Sequence, residues 1–483
     1  MAAPTITATR LVPLLGSATT ASPAYRGLAD AIRLLVADGR VATGTRLPSE
    51  RDLTAALGVS RTTVTRAYAV LRDLGYLTSR QGSGSVTALP GGGAAHRRGS
   101  ALSPADLSRV GDTIDLTCAS MNAPSGTMAA YEAAVAALPA HLGGTGYQPL
   151  GLEPLREALA DWFTARRLPT TPDQVIVTSG ALSALAITTR ALLAPGDRVL
   201  VENPTYANAI DTLRRSGARA VPLPVESTGW DLPGAEATLR QSAPRAAYLI
   251  PDFQNPTGAL MSEEDRGRLG RALAATRTVA VVDETLAELC LDDTASVPRP
   301  MAAHHRQTVT VGGASKSFWG GLRIGWIRAP HDLVANLLSA RLSLDLGAPV
   351  LEQLVLLELL ENREEILTER RAAVAASRDV MIEALRNRLP QWEFRVPRGG
   401  LCLWVQLPRP LSTAVTAAAD RHGLVLAPGP QFAVEGGMER FLRLPFTSHA
   451  PELLVEAVDR LALAWQDAES MRPASRPGHP LVA

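Results

Sequence analysis

At 483 residues the chain is long enough for more than one compact unit, and its 46% hydrophobic content can fill a large core. A net charge of +1 excludes a chain that is basic throughout, and no apolar run approaches membrane-spanning length. Three cysteines, Cys118, Cys290 and Cys402, lie far apart in no CxxC pattern, which argues against a disulfide framework or a metal site and leaves buried thiols as the expectation. Residues 1–22 read as an N-terminal extension. Their apolar patch, Leu11 to Leu15, lacks the charged start and long apolar core of a secretory signal, so the expected location is the cytoplasm.

Residues 23–87 hold nine arginines against five acids, a basic head on a slightly acidic body. A first helix is expected from about Tyr25 to Asp38, with Leu28, Ile32 and Leu35 on one face and Gly39 as its stop. Ser49 precedes Glu50, Arg51 and Asp52, a helix start with acids in the first turn, and that helix ends near Gly58. Ser60 caps a third helix with Val64, Ala67, Tyr68 and Leu71 inside. Two helices joined by "LGVS" make a helix-turn-helix, whose second helix sets its N-terminal residues against base edges. Arg61, Thr62 and Thr63 occupy those positions, and Arg66 follows one turn later. "YLTSRQGSGSV" then reads as a hairpin wing.

A plain three-helix packing module with a solvated basic face would use many of the same residues. The joint order of capped helix, turn, arginine and glycine-rich wing favours DNA. The stretch "GTRLPSERDLTAALGVSRTTVTRAYAVLRDLGYLTSRQGSGSVT" resembles the winged-helix domain of the GntR family of bacterial regulators. The resemblance implies Arg51 and Arg61 as base or backbone readers, Thr63 as a phosphate or base contact and Gly82 as the wing tip. Ser60, Thr62 and Arg66 complete the implied DNA-binding set.

Residues 88–112, rich in Gly, Ala, Ser and Pro, read as an exposed linker. From residue 113 to 467 apolar runs alternate with helical stretches. "QVIVTSG", "DRVLVENP", "AAYLIPDF", "TVAVVDE" and "QTVTVGGASKS" read as buried strands of a parallel sheet with crossover helices. After about Ala348 the chain turns mostly helical, with a strand pair expected at "EFRVPRGGLCLWVQL", which suggests a smaller α+β lobe. Residues 468–483 read as a flexible tail.

Lys316, in "VGGASKSFWGGLRIGW", is the chain's one lysine among 48 basic residues. Arginine serves for ion pairs and phosphate clamps, whereas only lysine supplies an amine that can be neutral and capture a carbonyl. Codon bias would also leave a stray lysine, so the neighbours decide. "TSGAL" joins a strand to a helix whose first N–H groups can bind phosphate, although glycine at such turns is common. "NPTY" puts Tyr206 after a strand, for ring stacking or ordinary packing. "QNPTG" places Asn255 in a tight turn, and "VVDE" ends an apolar strand in Asp283, an ion-pair partner or a helix cap. Arg323 lies seven residues beyond Lys316, placed to clamp a phosphate.

In order and spacing this set, with "FLRLPF" and Tyr147 to Gly151, resembles fold-type I, aspartate-aminotransferase-like enzymes. The resemblance implies pyridoxal phosphate bound covalently to Lys316, its ring nitrogen paired with Asp283, its ring oxygen with Asn255, and its ring stacked on Tyr206. Gly180, Ala181, Ser315 and Arg323 would hold the phosphate. Tyr147 would reach the phosphate of a neighbouring subunit in a homodimer, and Arg443 would grip a ligand carboxylate. Two positions depart from the family pattern. Thr285 and Leu286 stand where a ring-oxygen tyrosine is usual, with Thr285 as a weak substitute, and Gly313 replaces a common Ser or Thr.

A GntR winged helix joined to such a body resembles the MocR group of GntR-family regulators. The resemblance implies a DNA-binding regulator that senses an amino compound or pyridoxal phosphate. The alternative is an active aminotransferase carrying a DNA-binding head.

Overall fold

The computed structural model describes residues 4–16, 23–37, 40–41, 44–80, 84–88, 113–226, 228–292, 297–447 and 449–470. In the head, the helix Ala24–Ala37 buries Leu28, Ile32 and Leu35. The helix Glu50–Leu57 starts where the Ser49 hydroxyl accepts the Asp52 N–H at 3.1 Å, and it ends at Gly58 with φ 64°. Ser60 does the same for Arg61–Asp73, accepting the Thr63 N–H at 3.1 Å, and Val64, Ala67, Tyr68 and Leu71 face inward. Strands Leu77–Arg80 and Gly84–Thr87 pair antiparallel as the wing.

The head also recruits residues that the sequence reading left in the extension. Ala8–Leu15 is a helix whose Leu11 and Leu15 join the head's core, and the Ile6 N–H donates to the Arg46 carbonyl at 3.0 Å. With Pro13 inside and only eight residues, this helix offers too little period to be recognised.

The body is built on an eight-stranded sheet. Its order is Val175–Thr178, Gly325–Arg328, Thr308–Gly313, Val279–Asp283, Ala246–Leu249, Arg198–Asn203, Arg219–Glu226, Gly229–Trp230. The five strands from Thr308–Gly313 to Arg219–Glu226 pair parallel, and Gly325–Arg328 runs antiparallel to both neighbours. The central strands Ala246–Leu249 and Thr308–Gly313 are buried on both faces, hence their unbroken runs of small and apolar residues. Parallel strands end at one edge of the sheet, so the turns after them gather there.

The smaller lobe packs the strands Cys402–Gln406, Phe441–Pro445 and Ala427–Pro428 against the helices Arg363–Arg388, Ser412–Arg421 and Pro451–Ser470. Ile114–Asp115 pairs in parallel with Leu424–Val425, which brings the start of the body into this lobe. The expected strand pair at "EFRVPRGGLCLWVQL" is not one. Cys402–Gln406 pairs with Phe441–Pro445 instead, and only Glu393 bridges to Gln406, because Pro397 and two glycines interrupt the first half. Among the described residues no helix is long and apolar enough to cross a membrane.

Candidate functional site

Sheet register sets up the site. Asp283 is opposite Val311, and the chain then passes Gly312 and Gly313 into the short helix Ala314–Ser317 that carries Lys316. Lys316 Nζ donates to the Ala119 carbonyl. Burial is the main cause that holds this amine below the ordinary lysine value; Cys118 opposes the shift, Arg443 adds to it and Asp283 opposes it. A buried amine with a lowered pKa is the form that attacks carbonyls near neutrality.

Asp283 ends its strand almost fully buried. Its Oδ2 accepts the Tyr248 hydroxyl at 2.9 Å, and its Oδ1 accepts the Thr285 N–H at 2.9 Å and the Thr285 hydroxyl at 2.7 Å. These bonds fix the carboxylate plane. They also correct the expectation for Thr285, whose hydroxyl orients Asp283 and is not left to reach a ring oxygen. Leu286 is buried in the smaller lobe's core. The sequence reading missed Tyr248. Burial, reinforced by the Asp283 charge, holds its phenol well above the ordinary value, so it stays a donor. A tyrosine inside an all-apolar strand was the available signal, because its hydroxyl needs a partner.

Tyr206 and Asn255 arrive on two turns tied together from behind. Glu202 Oε1 accepts Trp230 Nε1 at 2.7 Å and the Ile250 N–H at 3.1 Å, while Oε2 accepts Gln254 Nε2 at 3.0 Å. Gln254 also donates to the Pro204 carbonyl at 2.8 Å and accepts from Thr257. Burial pushes the Glu202 carboxyl up to about 7 against the pull of these donors. An acid within "VLVENP" was the sign of this network, which the sequence reading did not use. Tyr206 is half-buried, its hydroxyl 3.0 Å from Asn208 Nδ2, and Asn255 Oδ1 accepts Arg443 Nη1 at 3.4 Å.

The turn before the helix Ala181–Leu192 brings a helix start close to the Arg323 guanidinium. Gly180 has φ 94°, and a Cβ there would stand 2.6 Å from Arg323 Nη2. Arg323 is exposed, with only long contacts to the Ser179 and Gly320 carbonyls at 3.5 and 3.4 Å. A Cβ on Gly325 would stand 2.4 Å from the Gly180 carbonyl carbon, and one on Gly313 would stand 3.2 Å from the Ala181 Cβ. The Gly313 departure therefore has a steric reason: a side chain would press on the helix start. Ser315 is half-buried beside Lys316. Free N–H groups at a helix start beneath a guanidinium suit a phosphate.

Arg443 is 1% exposed. It donates to the Thr117 carbonyl, its guanidinium lies 4.8 Å from the Phe432 ring centre, and its Nε has no hydrogen-bond partner among the described residues. Burial lowers its pKa. A buried donor left over in this way is available to an anion. Tyr147 is 64% exposed, and its expected role rests on a second subunit. Of the cysteines, Cys290 and Cys402 are buried as expected, but Cys118 is exposed.

On the head, Arg51, Ser60, Arg61, Thr62 and Arg66 are exposed. Thr63 is half-buried, its hydroxyl 2.8 Å from that of Ser60, and the Arg66 guanidinium lies 5.6 Å from the Tyr25 ring centre. Gly82 falls outside the described residues. A capped helix thus presents Arg61 and Thr62 at its exposed start.

The body's amine, oriented carboxylate and anion cradle are the groups that pyridoxal phosphate requires, and comparison with known proteins agrees. The profile for class I and II aminotransferases matches residues 114–461, and that for gntR-family bacterial regulatory proteins matches residues 24–86. A 2-aminoadipate transaminase of Thermus thermophilus is 32% identical over 326 residues, covering 66% of this chain and 81% of the relative. The probable rhizopine catabolism regulatory protein MocR of Rhizobium meliloti is 29% identical over 477 residues, covering 93% and 95%. The crystal structure of the α-aminoadipate aminotransferase LysN from Thermus thermophilus, complexed with N-(5'-phosphopyridoxyl)-L-leucine, superposes with a TM-score of 0.69 at 29% identity, covering 74% of this chain and 94% of that one. The chain belongs to the class I and II aminotransferase family, whose pyridoxal-phosphate fold it joins to an N-terminal GntR-type DNA-binding domain.

Proposed function

We propose that this chain is a pyridoxal-phosphate-dependent transcriptional regulator that binds double-stranded operator DNA as a homodimer and senses a small amino compound or the cofactor itself. The observation that carries the reading is the meeting of the chain's one lysine with Asp283 and the partly unpartnered Arg443 in a body attached to a capped helix-turn-helix. A relative named as a regulator and matching over nearly the whole chain supports it.

When bound, pyridoxal phosphate supplies an electrophilic aldehyde on an electron-withdrawing ring. Lys316 would hold the aldehyde, and Asp283, oriented by Tyr248 and Thr285, would keep a proton on the ring nitrogen. Asn255 and Tyr206 would position the ring. Gly180, Ala181, Ser315 and Arg323 would bind the phosphate, with Tyr147 of a second subunit. Arg443 would orient the carboxylate of an amino ligand. Such a ligand moves the head only through its different affinity for two states of the protein.

The test is to add pyridoxal phosphate to the purified chain. A visible absorbance band, and a borohydride-fixed adduct on Lys316, support the reading; a protein that stays colourless refutes it. Active transamination is the second reading, favoured by the 2-aminoadipate transaminase relative. The commitment of Thr285 to Asp283 weighs against efficient turnover. Sustained product from amino donors and a keto-acid acceptor would favour the enzyme, and a single spectral change without turnover the sensor.

A further inference from the structure

The segment from Ile114 to Asn122 runs across the site with four of its carbonyls held by side chains that donate. His449 Nε2 lies 2.9 Å from the Asp115 carbonyl, Arg443 donates to that of Thr117, Lys316 to that of Ala119, and Arg370 Nη2 to that of Asn122 at 2.7 Å. The strand Ile114–Asp115 ends in a bend at Thr117, and the carbonyls of residues 115, 117 and 119 each meet a side-chain donor. Asp115 Oδ1 accepts the Thr117 N–H at 2.7 Å and the Thr117 hydroxyl at 2.6 Å, which closes that bend. The N–H groups of Ile114 and Leu116 tie the start of the segment to the Gly423 and Val425 carbonyls, both at 2.9 Å.

We propose that residues 114–122 form a strap that the filled site displaces, so that occupancy at Lys316 and Arg443 is passed to residues 88–112 and the head. The proposal rests on the reading of the body as a pyridoxal phosphate site. Two of the strap's anchors are groups that the cofactor and ligand use. Condensation of Lys316 with the aldehyde forms a C–N bond and expels the aldehyde oxygen as water, which carries off two hydrogens of the neutral amine. The donor to Ala119 is thereby lost. A ligand carboxylate competes directly with the neutral Thr117 carbonyl for Arg443, and a charged acceptor binds arginine more strongly than a neutral one. The strap keeps its anchors at His449, Arg370 and the Leu424–Val425 pairing. Its N-terminal end continues into the segment whose sequence reads as the linker to the DNA-binding head. A local exchange of hydrogen bonds can thus reach that head through the backbone, without a path through the core.

The experiment is hydrogen exchange at the Ile114 and Leu116 amides of the full-length chain, with and without pyridoxal phosphate, while visible absorbance reports cofactor binding. The Leu424–Val425 pairing is kept but loses the neighbouring Ala119 anchor and opens more often. Exchange at both amides should therefore rise roughly tenfold on binding, as for loss of about 1.4 kcal/mol of anchoring. Lys316→Ala should show the raised rate already, with no further response to cofactor. His449→Ala loosens the strap away from the site, so it should bind pyridoxal phosphate several-fold more tightly than the parent. Unchanged exchange in a protein whose absorbance shows bound cofactor overturns the strap, and so does weaker cofactor binding by a folded His449→Ala. Absence of any absorbance change is a different failure: it overturns the cofactor reading, and the strap falls with it.

Discussion

Replacing Gly180 by alanine tests the phosphate cradle against a matched control. Gly180 sits at φ 94° and ψ 164°, a region that side chains avoid, so alanine costs the folded backbone on the order of 1–3 kcal/mol. Its Cβ would also stand 2.6 Å from Arg323 Nη2 and push the guanidinium off the helix start. Hydrogen bonds to a charged group contribute about 1.5–3 kcal/mol, so pyridoxal phosphate affinity should fall roughly ten- to 150-fold. Gly196 has nearly the same φ, 93°, but a Cβ there meets nothing within 4 Å. Gly196→Ala should therefore lose stability through its backbone and no cofactor affinity. Denaturant unfolding of the cofactor-free proteins measures the first quantity, and absorbance titration with pyridoxal phosphate the second. Equal affinity in the parent and both variants would refute the cradle.

Tyr248→Phe keeps the packing but removes a donor to Asp283, and cofactor affinity should fall about tenfold by titration; an unchanged affinity would show that Asp283 does not need this orientation. Arg61→Ala should cost about 1–3 kcal/mol in operator affinity and relax specificity at one base position, measured by anisotropy with sequence variants of the site. Because burial lowers the Lys316 pKa, its neutral amine persists to lower pH than in a free lysine, so the rate of cofactor capture should reach half its maximum below pH 10.5. Arg443 adds to that lowering, so Arg443→Gln should move the midpoint upward; a downward move would contradict the geometry.

Much of the site was legible because its chemistry sits on side chains at strand ends. Asp283 closes an apolar run, Asn255 lies within a Gln-Asn-Pro turn, Tyr206 follows Asn-Pro-Thr, and Lys316 has no competitor in composition. In the head, Ser49 and Ser60 mark their helices because a capping hydroxyl must precede them. What stayed hidden has physical reasons. The strand Arg219–Glu226 contains Pro222 and Pro224, which argue against a strand unless it lies near an edge, as this one does. Gly325–Arg328 is four residues long and sits among the glycines that the cradle requires. Tyr248 and Glu202 act from inside strands, where a polar group among apolar neighbours signals a buried partner but does not name it. Backbone acceptors such as the Thr117 and Ala119 carbonyls belong to no residue type, so no motif announces them.

The central claim joins Lys316 in the body to DNA binding by the head, and one measurement addresses both. It is the affinity of the full-length protein for the DNA upstream of its own gene, with and without pyridoxal phosphate, in the parent and in Lys316→Ala. The account predicts that cofactor changes the parent's affinity and leaves that of Lys316→Ala unmoved. The same cofactor response in both proteins, or none in a parent that visibly binds both cofactor and DNA, would contradict it.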